Sequence, residues 1–223
     1  MSRPPLELRR SDIGFGRVLI DDHGVTRHSL IRTHALAWDE IRDYRLKIEM
    51  RGAKLEVLYL VDWLNLVLIA RDVRTGLHGD HRFRLGIELL GESQRVAFNW
   101  RFRAVPMAIA QILERICAPL LVRARAHLRA DGLVRFGPLA LAEHGIQWGS
   151  RPPLPRDQVE SVELFNSSPV RLRVMEHDKA WPYGQAPTAE IPNISAALEI
   201  AKTLGYRVRG RELFRAFAAV EPP

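Results

Sequence analysis

A faint internal repeat is the feature that most restricts what this chain can fold into. Asp22-His23-Gly24-Val25 is echoed by Glu143-His144-Gly145-Ile146. An alternating apolar stretch precedes each copy, Val18-Leu19-Ile20 in one and Leu139-Ala140-Leu141 in the other. A second matched element follows each, Trp38-Asp39-Glu40-Ile41 and then Arg156-Asp157-Gln158-Val159. Each copy then runs through short β-like segments into one apolar-periodic helix. At 223 residues the chain has room for two such units, each of about 100 residues.

Periodicity supplies the expected elements. Residues 16–21 read as a strand, and Asp22-His23-Gly24 as a turn in which Gly24 is free to take positive φ. Residues 25–31 and 34–38 are two more short β segments. Residues 42–50 alternate, with Tyr44, Leu46 and Ile48 on one face and Arg45, Lys47 and Glu49 on the other, the pattern of a half-buried strand. Residues 55–61 and 64–70 are apolar β segments, although Val57, Val61, Leu64 and Leu68 also match a helical period. Residues 82–90 and 94–102 flank Gly91-Glu92-Ser93 as a hairpin. Pro106 opens a helix with Ile109, Ile112, Leu113 and Ile116 on one face. Pro119 should kink or end it, and a second helical piece over 120–129 should close at Asp131-Gly132.

The second half repeats this order in shortened form. Residues 139–141, 146–148, 159–165 and 170–175 read as strands, with 179–183 as a further short candidate. Residues 194–204 read as a helix capped by Asn193 and stopped by Gly205. The expectation is an α+β chain with an N-terminal tail at 1–15, a first unit over 16–131, a second, shorter unit over 132–207 and a C-terminal tail at 208–223. The first unit carries 32 more residues than the second before its helix, mostly near 55–79.

The net charge of +7 is unevenly placed. There are 22 Lys and Arg against 16 Asp and Glu through Gly132, and 11 against 10 beyond it. A basic first half could draw nucleic acid, anionic lipid or an acidic protein. No run of five or six basic residues occurs, which reads instead as solvated surface. Cys117 is the single cysteine, so neither an internal disulfide nor a CxxC metal site can form. Its apolar helical setting suits a small core residue. Met-Ser-Arg-Pro-Pro at the N-terminus has no apolar signal region. The longest apolar run, 55–70, is broken by Glu56, Asp62 and Asn65, and is too short and polar for a bilayer core of about 30 Å. A cytoplasmic location is expected.

Strand, glycine turn, short strand and then Trp38-Asp39-Glu40-Ile41 leading into an alternating strand: this order resembles the bacterial pleckstrin-homology-like (PH-like) domains. The glycine turns at Gly24 and Gly145 and the final helices belong to the same likeness. It covers residues 16–118 better than 133–206, where Arg156 stands in place of the tryptophan. The resemblance implies two tandem PH-like units, each an antiparallel β-barrel or sandwich closed by a C-terminal α-helix. Physics favours the same solution, since closure and a covering helix protect the exposed edges of short strands. The family's basic phosphoinositide motif between the first two strands has no match here, where Asp21-Asp22 is acidic.

Few residues suggest chemistry. His78-Gly79-Asp80-His81 holds two imidazoles and a carboxylate, but offers no evident third or fourth metal ligand. No nucleophile, phosphate-loop or metalloprotease motif occurs, and no catalytic residue, metal or cofactor is expected. His23 and His144 share a turn position, which suggests a common structural role such as a side chain bonding turn backbone. Trp38, Trp100, Trp148 and Trp181 lie at or beside β elements and read as core packing. Asn99-Trp100-Arg101-Phe102-Arg103 is the one stretch of a base-stacking type.

Two candidate surfaces remain. Arg42, Arg45, Lys47, Arg82 and Arg84 could form a rim for an anionic partner. Residues 64–69 are apolar in both parities, so both faces need cover. An interface centred on Trp63, Leu66 and Leu68 would meet the other half, a second copy or a protein partner. The expected function is a non-enzymatic binding or scaffold protein acting through protein–protein interaction. The alternatives are an anionic membrane-surface or nucleic-acid binder using the basic first unit, and a small-ligand or enzymatic role.

Overall fold

The computed structural model of the chain describes residues 5–9, 16–50, 83–102, 104–165 and 167–210. Strands β1 (Leu6–Arg9), β2 (Arg17–Ile20), β3 (Gly24–His28) and β4 (Thr33–Ala37) form an antiparallel meander in that order. A 3₁₀ turn, Trp38–Glu40, leads into a three-stranded antiparallel sheet of β5 (Asp43–Met50), β6 (Phe83–Leu90) and β7 (Arg95–Asn99). Helix α1 spans Val105–Asp131. A second meander follows, β8 (Leu133–Phe136), β9 (Leu139–Ala142), β10 (Gly145–Trp148) and β11 (Leu154–Pro155). After the 3₁₀ turn Arg156–Gln158 come β12 (Val159–Phe165), β13 (Arg171–Glu176) and β14 (Gly184–Pro187), again antiparallel in sequence order. The 3₁₀ turn Thr188–Glu190, helix α2 (Ile194–Thr203) and β15 (Val208–Arg209), parallel to β12, complete the described chain.

The described residues are thus α+β, with antiparallel sheets and two helices. The order four-strand meander, 3₁₀ turn, three strands, helix occurs twice. Among the described residues the strands form four separate sheets, and no ladder closes them into a barrel.

Several expectations change. Residues 6–9 were expected in a loose tail. They instead pair with β2 along their whole length and bury Leu8. The C-terminal tail likewise begins with a paired strand, β15. The second half is not short of strands: it also holds β8, directly after the helix that ends at Gly132, and β11, which at two residues is too short to show a period. Residues 179–183 form a loop, and the strand lies just beyond, at β14. Pro119 neither ends nor splits α1. It stands on the exposed side, where water can solvate the carbonyl it leaves unpaired, while the buried stripe Ile112, Ile116, Leu120 and Ala124 runs on past it. Gly132 in the left-handed conformation (φ 67°) stops the helix where expected.

By length and composition α1 would suffice to cross a bilayer. In the fold its apolar stripe faces one continuous core, and it packs on α2, β8, β6 and β1. Both halves contribute to that core, from Val18, Tyr44 and Ile109 to Leu141, Val162 and Leu198.

The halves also join through backbone. β5 is an edge strand of its sheet, and an open edge presents unpaired N–H and C=O groups. The second half covers them. Val170 N–H donates to Ile48 O (2.9 Å), Thr188 Oγ1 to Leu46 O (2.8 Å) and Asn193 N–H to Tyr44 O (2.9 Å). The residues at 44, 46 and 48 share one parity, so their outward carbonyls point the same way.

Candidate functional site

The described members of the predicted cationic rim each lie against an acid or an aromatic ring. Arg42 pairs with Glu92 at 3.0 Å, Lys47 with Glu49 at 2.8 Å, and Arg45 lies 4.0 Å from Glu88, which Arg95 also approaches at 3.5 Å. The β5–β6 register sets Arg45 opposite Glu88, so the alternation that exposes these bases also aligns an acid with them. Arg84 instead lies over the ring of Trp100, 4.4 Å from its centroid. Arg82 lies outside the described residues, as do Trp63, Leu66 and Leu68 and the 78–81 histidine cluster.

The matched turns work through backbone. His23 O accepts from Trp38 N–H (3.3 Å), and His144 O accepts from Arg156 N–H (3.0 Å). In the first turn it is Asp21, not the histidine, whose side chain bonds turn backbone, accepting from the N–H of His23 and of Gly24. Gly24 is needed for a close approach and not for positive φ. A Cβ there would lie 2.1 Å from Leu36 O, and one on Gly145 would lie 2.5 Å from Leu154 O. The repeat in the sequence is therefore a repeat of one tight strand pairing.

The buried polar cluster joins β5, α1 and α2. Tyr44 Oη donates to Ser195 Oγ (2.6 Å) and accepts from Ser195 N–H (3.0 Å), with Cys117 Sγ at 4.0 Å. Burial pushes the Tyr44 phenol well up, and the nearby Cys117 adds to it, against the opposing bonds from Ser195. Burial likewise pushes the Cys117 thiol up. A raised thiol is a poor nucleophile, and the Tyr44–Ser195 bonds tie β5 to α2. Among the described residues no three His, Cys, Asp or Glu side chains come together as metal ligands.

The tryptophans divide. Trp148 is buried, and Trp38 packs against the core with its Nε1 donating to Asp21 O (3.0 Å). Trp100 is 44% exposed and Trp181 is 83% exposed, contrary to the expectation of core packing. Both occupy turns beyond strand ends, where alternation assigns no face.

Trp181 stands on a braced platform. The β13–β14 loop is held at its start by His177 N–H on Gln158 O (2.9 Å) and at its end by Tyr183 N–H on Val174 O (2.8 Å). Tyr183 Oη donates to Pro152 O (2.6 Å), and the Arg151 guanidinium donates to Tyr183 O and lies 5.9 Å from the Tyr183 ring. The β10–β11 loop that carries Arg151 is itself fixed by Gly149 N–H on Pro138 O (2.7 Å). Three loops thus converge, presenting an exposed Trp beside a Tyr and an Arg. Sequence reasoning missed this site because its only local signal was aromatic and basic residues among prolines. No family model matches the chain, and no curated protein matches it.

Proposed function

We propose that this chain is a non-enzymatic binding protein of two tandem PH-like units that docks a protein partner through the loops around Trp181. The observation that carries the reading is the 83% exposed indole of Trp181 on loops pinned by Arg151 and Tyr183. Trp, Tyr and Arg are the residue types that dominate binding energy at protein interfaces. Loops already fixed lose little entropy on docking. The tandem reading is supported by the doubled element order and by two matched details, the glycine–carbonyl approaches at Gly24 and Gly145 and the turn carbonyls of His23 and His144.

The test is site-specific photo-crosslinking in the native host, with the crosslinker at exposed Lys179. One protein adduct should form, and Trp181→Ala should abolish it while Leu30→Ser leaves it intact. No adduct, or an adduct indifferent to Trp181→Ala, would overturn the reading.

A further inference from the structure

The two most exposed aliphatic side chains of the described chain are neighbours. Leu30 is 73% exposed and Ile31 90%. They form the tip of the β3–β4 hairpin, and the tip is rigid. Ser29 N–H and Ser29 Oγ both donate to Arg32 O (2.9 and 2.8 Å), and Arg32 N–H donates back to Ser29 Oγ (3.1 Å). Just below, His28 Nδ1 lies 3.1 Å from Thr33 Oγ1. The turn closed this way holds Leu30 and Ile31 outward.

The hairpin is also electrically polarised. From Gly24 to Ala37 there is no acidic residue, while Arg27 and Arg32 fall within it and Arg17 lies opposite His28 on β2. Arg27 is spent internally, donating to Ala97 O (2.6 Å). Arg17 and Arg32 are exposed. The acids Asp21, Asp22, Asp39 and Glu40 all sit at the far end of the hairpin, where Asp22 binds Arg115 (2.8 Å) and Glu40 accepts from Ala37 N–H (2.9 Å). The exposed end therefore joins two protruding aliphatic side chains to Arg17 and Arg32, which make no ion pair among the described residues.

We propose that this tip docks on an anionic lipid surface, with Leu30 and Ile31 entering the interface and Arg17 and Arg32 meeting the headgroup phosphates. A protruding pair suits a yielding medium. A protein partner would need a preformed pocket to receive it. Apolar insertion and basic attraction to anionic headgroups act together in such docking. The contact is separate from the Trp181 loops.

The test is co-sedimentation of the full chain with vesicles of phosphatidylcholine alone or with roughly a third phosphatidylserine, a fraction chosen to give a strongly negative surface potential. The wild-type chain should bind the anionic vesicles at least about tenfold more tightly than the neutral ones, and lose most of that advantage by about 0.5 M salt. Leu30→Ser with Ile31→Ser should weaken anionic binding by about tenfold or more, as should Arg17→Glu with Arg32→Glu. Trp181→Ala should leave it unchanged. Circular dichroism and melting of the tip variants should match wild type, since Leu30 and Ile31 are largely exposed. Wild-type failure to bind anionic vesicles would overturn the proposal. So would full binding by the Leu30→Ser/Ile31→Ser variant, or a crosslinker at Ile31 that captures a protein while vesicles are ignored. Loss of the Lys179 adduct bears only on the Trp181 reading, so the two fail separately.

Discussion

Asn193 pairs with Tyr44 as one strand residue pairs with another, although it belongs to no strand. Its N–H donates to Tyr44 O and its Oδ1 accepts from Tyr44 N–H, both at 2.9 Å. Its Nδ2 donates to Asp43 Oδ1 (2.5 Å). The residue that opens α2 therefore closes the edge of β5, and with Thr188 and Val170 it makes one body of the two halves.

Asn193→Ala should lower stability by about 2–4 kcal/mol. Part is the Tyr44 N–H left buried without a partner, at about 1–3 kcal/mol. Part is strain, because Asn193 sits at φ 51°, where Ala costs about 1–2 kcal/mol more than glycine. Asn193→Gly should then be milder than Asn193→Ala by about 1 kcal/mol. Urea unfolding of both variants checks this, and an alanine variant as stable as wild type would remove the edge cap from the account.

Gly24→Ala and Gly145→Ala should each cost more than about 2 kcal/mol, because the added methyl overlaps a backbone carbonyl that cannot move without parting two strands. Gly149→Ala is the contrast. Gly149 has φ 59° but nothing within 4 Å of a built Cβ, so only the backbone term of about 1–2 kcal/mol applies. Thermal melts of the three variants should rank Gly149→Ala as the mildest.

These residues show what was legible in the sequence. The alternation of Tyr44, Leu46 and Ile48 marked β5 correctly, because burial of one strand face is a local pattern. The Asp-His-Gly echo marked a true correspondence, although its cause was strand proximity at Leu36 and Leu154 and not turn geometry. Asn193 reads as a helix cap from its neighbours. Its side chain instead answers a partner 149 residues away, and no local pattern carries that. Pro119 misled for a related reason: a proline's cost depends on which side of the helix it faces, and this one faces out. Trp181 and the Leu30–Ile31 tip were missed because protrusion is a property of the folded surface.

Stability should fall with rising pH in the alkaline range. An unfolded tyrosine loses its proton near pH 10, but burial holds the Tyr44 proton well above that point. Above about pH 10 the folded state therefore binds more protons than the unfolded state, and stability falls as pH climbs from there toward the raised native value. Cys117 acts in the same direction from about pH 8.5, the ordinary thiol value. Tyr206, raised by burial against the opposing charge of Arg156, adds to it. Tyr44→Phe should lower stability at pH 7 by about 1–3 kcal/mol through the orphaned Ser195 N–H, and should flatten the decline between pH 9 and 11 in urea midpoints. A variant with an unchanged alkaline slope would clear Tyr44 of that role.

The two exposed and buried tryptophans should separate binding from folding. Trp148 is buried, and a Cβ built on Gly184 would stand 2.2 Å from its indole, so ring and strand β14 are packed face to face. Trp148→Ala should cost about 3–5 kcal/mol, the range for removing a large aromatic side chain from a core. Gly184→Ala should be damaging for the same reason. Trp181→Ala removes an indole that is 83% exposed, so its stability should stay within about 0.5 kcal/mol of wild type. Chemical denaturation of the three variants is the measurement. A large loss in Trp181→Ala would make that side chain part of the fold, and the platform formed by Arg151 and Tyr183 would then exist to hold the core together and not to present a surface.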